Sequence, residues 1–120
     1  MASTTQRNNA QAARGLLKGL RVIEIGQRIA GPVAGLVLVE QGAEVVRVVD
    51  TSQASRDPIV DALLARGKTE VELDLASEDG RQTLRALVQA ADVVIENRAP
   101  GTMAELGLDF DAMRADGHPG

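Results

Sequence analysis

The chain has no cysteine, tryptophan or tyrosine, one phenylalanine (Phe110) and one histidine (His118) in 120 residues. Without cysteine there is no disulfide framework, no thiolate zinc site and no thiol nucleophile. A single histidine leaves little for a His-based metal site or a His-dependent triad, and His118 reads as an inert residue near the terminus. With one aromatic residue, any core is built from Ala, Val, Leu and Ile, which offers few large anchors. No apolar run approaches the roughly 18 residues of a membrane-spanning helix. Formal net charge is −4, which argues against a nucleic-acid platform but not against local binding of a small anion. What is present is ordinary for a soluble globular chain: 44% hydrophobic and 25% charged residues, at a length suited to one domain.

Residues 1–15 (MASTTQRNNAQAARG) are polar and aperiodic, and are expected to form a disordered tail. The chain is basic and free of acidic residues through Arg21, as transit peptides are. It lacks an amphipathic face and a secretory apolar region, so a short solvated leader and a cytoplasmic location are expected.

From Leu20 the pattern alternates. Arg21–Ile25, Glu44–Val49, Glu70–Leu75 and Asp92–Asn97 read as strands. The third alternates strictly through Val71, Leu73 and Leu75, which places it near a sheet edge, and the fourth reads as fully buried. Helical blocks lie between them. The first follows Gly31–Pro32 and stops at Gly42, with Gly31, Ala34 and Gly35 allowing close approach. A weaker one spans Pro58–Arg66. Another runs over Ser77–Ala91, with Ser77 as N-cap, Glu78 and Asp79 in the first turn, and Leu84, Leu87, Val88 and Ala91 at helical spacing. Short helices follow around Leu106 and Met113. This order predicts an α/β fold: a Rossmann-like parallel sheet with right-handed βαβ crossovers, forming an incomplete large domain over residues 16–120.

Ligands of such sheets bind beyond the carboxyl ends of the strands. Those ends are Gly26–Pro32, Asp50–Asp57, Leu75–Ser77 and Asn97–Gly101. The first loop, GQRIAGP, can aim backbone N–H groups at an anion, or its glycines can serve only the turn. It is neither G-x-G-x-x-G nor a Walker A loop, so a nicotinamide enzyme is a poor fit. Asp50 stands where dinucleotide folds place a ribose-binding carboxylate, or is a solvated loop residue. Arg66 and Lys68 precede the third strand, as phosphate ligands or as exposed charges. Asn97 and Arg98 bring donors to a strand end before the Pro100–Gly101 turn, unless Arg98 is only a surface charge. No carboxylate pair, nucleophile elbow or metal-ligand cluster stands out.

The motifs LKGLRVIEIGQRIAGP, LVEQGAEVVRV, ARGKTEVELDLASEDGRQTLRALVQAADVVIENRAPG and MAELGLDFDAM, in this order from Leu17 to Met113, resemble the N-terminal part of the class III CoA-transferases. That family includes formyl-CoA transferase, carnitine-type CoA-transferases and α-methylacyl-CoA racemase. The resemblance implies a CoA-binding segment of an enzyme that transfers CoA between carboxylic acids through an aspartyl intermediate. It implies CoA contacts at Ile29, Ala30, Leu73, Asp74, Leu75, Ala76, Asn97 and Arg98. CoA or acyl-CoA would be substrate, with no covalently bound cofactor and no metal. The partners implied are the remainder of the enzyme or a homodimer partner, with no nucleic acid and no membrane.

The family's catalytic aspartate lies downstream of these motifs, so no residue here inherits a catalytic role and the isolated chain is expected to be inactive. Alternatives are an acyl-CoA racemase of the same family and a non-catalytic, diverged binding or interaction module. The sequence departs from the family at three cation positions: Asp50 after the second strand, Ala76 in place of the LDLK lysine, and Glu105 in place of an arginine. Arg28, Arg47, Lys68 and Arg98 are the candidates to compensate toward the phosphates of CoA.

Overall fold

The computed structural model describes residues 15–53, 57–115 and 117. The expected tail, apart from Gly15, and His118 lie outside the described residues. The apolar runs form four strands: β1 (Arg21–Glu24), β2 (Glu44–Asp50), β3 (Thr69–Leu73) and β4 (Val93–Ile95). All pairings are parallel, in the order β3-β2-β1-β4. The helices are α1 (Ala30–Glu40), α2 (Pro58–Leu64), α3 (Glu78–Gln89), α4 (Thr102–Glu105) and α5 (Phe110–Ala115). The fold is therefore α/β, as the alternation predicts.

Two expectations about the strands need correction. β3 is an edge strand, as its alternation implies, but it ends at Leu73. Asp74 turns the chain instead: its Oδ1 accepts from Ala76 N at 3.0 Å, and its carbonyl accepts from Ser77 Oγ at 2.8 Å. β4 is not fully buried. It occupies the other edge, and its three residues are half-buried because nothing pairs with its outer side among the described residues.

The helix starts follow from local chemistry. Ser77 Oγ accepts from Gly80 N at 3.0 Å and caps α3, with Glu78 and Asp79 in its first turn. Asp57 caps α2 by accepting from Ile59 N at 2.9 Å, with Pro58 opening the helix. α1 ends before Gly42, which has φ +99°.

The sheet buries its two faces differently. On one, Ile23, Ile25 and Val48 pack with Leu75, Leu84, Val88, Ala91, Leu106, Leu108 and Met113. Leu84 and Val88 come from the face of α3 that the 3.6-residue period marks. On the other, Val22, Ala43 and Val45 form a smaller cluster with Leu38 and Val39 of α1. The aliphatic composition does build the core, with methionine added. Phe110 is 65% exposed, and Arg114 lies 5.6 Å from its ring centroid.

Toward the carboxyl end of the smaller face, charge replaces apolar packing. The register sets Glu24 of β1 opposite Arg47 of β2, and both are essentially inaccessible. Lys68 Nζ lies 2.6 Å from Glu24 Oε1 and donates to the Pro32 carbonyl at 2.7 Å. Arg47 Nε lies 3.5 Å from Glu24 Oε2, and Arg47 Nη2 pairs with Asp61 of α2. Burial pushes the Glu24 carboxyl up, against the pull of Lys68 and Arg47. This network ties β1, β2, the start of β3, α1 and α2 together. It needs Gly35, because a Cβ there would fall on Glu24 Oε1.

Candidate functional site

The first loop leaves β1 and must reach α1 within five residues. It does so through a close crossing of Gly26 and Gly31: a Cβ on Gly26 would lie 2.8 Å from Gly31 Cα. A Cβ on Gly31 would lie 2.9 Å from Asn97 Oδ1. The loop is held from β4 by a two-point clamp. Gln27 N donates to Asn97 Oδ1 at 2.6 Å, and Asn97 Nδ2 donates to the Gln27 carbonyl at 2.9 Å. Between these anchors Arg28 adopts φ +58°, the one non-glycine residue with positive φ among the described residues. For an arginine that conformation costs about 1–2 kcal/mol.

Beside the loop, beyond the ends of β1 and β2 and against α2, opens a cleft of about 560 Å³. Ile25, Ile29, Val48, Val60 and Leu64 supply apolar wall, while Arg28, Asp50, Asp57, Asp61 and Arg98 supply charge. Asp50 organises its rim. Its Oδ1 accepts from Ser52 N at 3.0 Å, Ser52 Oγ at 2.6 Å and Leu75 N at 3.2 Å. Its Oδ2 accepts from Arg98 Nη2 at 3.2 Å. Burial would raise the Asp50 carboxyl, but the bonds from Ser52, Leu75 and Arg98 outweigh it and hold the group below its ordinary value. Arg98 is in turn nearly buried, its side chain 7% exposed. Asp50 and Arg98 are thus neither a solvated loop aspartate nor a surface charge.

The residues implied by the resemblance separate into groups. Ile29 and Arg98 line the cleft. Ala30 is exposed at the first position of α1. Asn97 is committed to Gln27. Leu73, Asp74, Leu75 and Ala76 lie at the end of β3, outside the cleft lining. Leu75 is a core residue whose N–H is given to Asp50, and Ala76 is exposed. Sequence reasoning placed Gln27 and Asp57 within the strand-end loops without singling them out, and left out Asp61, on α2. It also missed the buried network, although a charge midway along each of two apolar runs, Glu24 and Arg47, was its visible signal.

A sheet with this cleft is common to many enzymes; the family is decided by sequence. The model of CoA-transferase family III matches residues 17–119. The chain belongs to CoA-transferase family III. It is 40% identical over 111 residues to a probable fatty acyl-CoA transferase, Rv3272, of Mycobacterium tuberculosis, covering 82% of this chain and 28% of that protein. It is 36% identical over 115 residues to the succinate–glutarate CoA-transferase of Agrobacterium fabrum, covering 82% of this chain and 29% of that one. A crystal structure of Rv3272 matches with a TM-score of 0.74 at 41% identity, over 83% of this chain and 30% of that one. A CAIB/BAIF family protein of Brucella suis matches with a TM-score of 0.71 at 34% identity, over 82% of this chain and 30% of that one. This family III chain therefore spans under a third of the length of these relatives. Among its described residues no helix is long and apolar enough to cross a membrane.

Proposed function

We propose that this chain is the N-terminal, CoA-binding segment of a family III CoA-transferase, and that CoA or an acyl-CoA enters the 560 Å³ cleft above β1 and β2. One observation carries the reading. In a chain matched by the family over residues 17–119, Ile29 and Arg98 come from loops 69 positions apart (98 minus 29) and meet in one cleft at the carboxyl end of a parallel sheet. Ile29 and the apolar wall receive the uncharged parts of the ligand, and Arg98 faces its phosphates. Asn97 shapes the site by holding the first loop. The end of β3, Leu73–Ala76, contributes the far rim, joined to the cleft through the Leu75–Asp50 hydrogen bond.

Transfer of CoA between carboxylic acids needs a nucleophilic carboxylate that these residues do not supply. Each carboxylate in the cleft is already engaged: Asp50 by Arg98, Asp57 by the α2 backbone and Asp61 by Arg47. This supports the expectation that the chain alone is inactive, and a transferase assay that detects turnover by it would overturn this part of the reading. The exposed apolar residues Val33 and Val37 on α1, next to Ile29 at its N-cap, and Ile59 and Leu63 on α2 support packing against the remainder of the enzyme or a second protomer. Calorimetry with CoA tests the binding role. Micromolar affinity supports it. No heat at millimolar CoA would leave a non-catalytic module.

A further inference from the structure

Of the four cations that could face an anionic ligand, the fold removes two. Arg47 and Lys68 are buried with Glu24 on the α1 side of the sheet, and neither lines the cleft. Arg28 and Arg98 remain, and both line it. Their states differ. Among the described residues Arg98 is held by Asp50 through Nη2 alone, and its other guanidinium donors have no partner there. The Arg28 side chain makes no ion pair or hydrogen bond among the described residues. The surrounding carboxylates do not compete for it. Asp50 is taken by Arg98, Ser52 and Leu75 N; Asp61 is paired with Arg47; Asp57 faces the N–H groups that open α2. The loop also holds Arg28 in the left-handed region, where asparagine or glycine is far more comfortable. Clamp and glycine crossing together impose that conformation on a side chain that makes no polar contact among the described residues.

We infer that Arg28 and Arg98 form a two-arginine subsite for the phosphate groups of a polyanionic ligand, with Arg28 as the uncommitted charge and Asp50 as the residue that positions Arg98. A ligand with a single charge would satisfy only one of the two arginines. A diphosphate engages the free donors of Arg98 and the whole of Arg28, and leaves the Asp50 pair in place. The subsite does for this chain what a cation after the second or third strand would do, from the first loop and the end of β4. The identity of the ligand as CoA rests on the function proposed above; the anion subsite does not.

The test compares the wild-type chain with Arg28→Asn and Arg28→Lys, by calorimetry against CoA and against inorganic pyrophosphate, and by thermal melting. Asparagine suits the left-handed backbone and lacks the charge; lysine keeps the charge and the unfavourable backbone. R28N is expected to melt no lower than wild type while losing about tenfold or more in affinity for both ligands. R28K keeps the charge but not the planar fork, and is expected to lose less affinity than R28N. R28N binding pyrophosphate as tightly as wild type overturns the subsite, and so does R28K losing as much as R28N. Wild type that binds CoA with no effect of R28N overturns the subsite and leaves the CoA reading standing. Wild type that binds pyrophosphate in an Arg28-dependent way but not CoA overturns the CoA reading and supports the subsite. Binding of neither ligand overturns both.

Discussion

Asp50 shows how one substitution can reverse the meaning of a position. A carboxylate after the second strand, where related enzymes often carry a cation, implies repulsion of phosphate. Folded, the same carboxylate anchors Arg98 across the top of β1 and fastens the turn after β3. Its folded pKa is lowered, so it contributes stability that is present above the unfolded value and is lost as pH falls through the folded value. Asp50→Asn is accordingly expected to cost about 1–3 kcal/mol at neutral pH. The difference from wild type should shrink below about pH 4, measured by urea unfolding at each pH. Equal loss at all pH values would mean that shape, not charge, is what Asp50 supplies. Asn97 acts by geometry. Asn97→Ala releases both bonds to Gln27, and is expected to cost about 1–3 kcal/mol and to weaken CoA binding through a loosened first loop. An Asn97→Ala chain that binds CoA like wild type would detach the clamp from function.

At the scale of elements, the contrast between α1 and α3 is instructive. α3 is amphipathic, capped by Ser77 and seated on the larger core, and its face is readable from spacing. Ser77→Ala is expected to cost about 1 kcal/mol, by urea denaturation. α1 is apolar around most of its circumference, so periodicity does not say which side meets the sheet. Its seat is decided by Gly35 over Glu24 and by Lys68 on the Pro32 carbonyl. Gly35→Ala improves helix propensity by about 1 kcal/mol, yet is expected to be net destabilising by 2 kcal/mol or more. The added methyl meets a carboxylate fixed between Lys68 and Arg47. A stabilised G35A variant would contradict the close seat of α1. Removing one member of the buried network, as in Glu24→Gln, strands Lys68 and is expected to cost about 3–5 kcal/mol.

At the scale of the whole molecule, Leu16, Ile29, Val37, Ile59, Leu63 and Phe110 are large apolar side chains left exposed among the described residues. Besides these, a second cavity of about 460 Å³ opens between α3, the short β4 edge and α5, lined by Val88, Val94, Met103, Leu108 and Met113. Phe110 also lines this cavity, with Asp92, Glu96, Asp109 and Arg114, beside the β4 edge that no further strand pairs among the described residues. The isolated chain is expected to bind a hydrophobic dye in its native state and to unfold with low cooperativity. A sharp transition at about 65 °C or above would contradict this.

The amino-acid sequence by itself determined the four strands, the main helices, the edge position of β3 and the family, because these rest on local periodicity, caps and motif order. It also brought Arg98 forward as a donor at a strand end, and Ile29 through the family resemblance. It did not determine that β4 is a half-buried edge, that Asn97 is spent on Gln27, or that Lys68 is buried while Arg28 faces the cleft. Those outcomes depend on which residues, far apart in the chain, compete for the same partner. A cation reads the same in sequence whether a carboxylate neutralises it or leaves it free. Only packing decides that Glu24 takes Arg47 and Lys68, that Asp50 takes Arg98, and that Arg28 meets no carboxylate among the described residues.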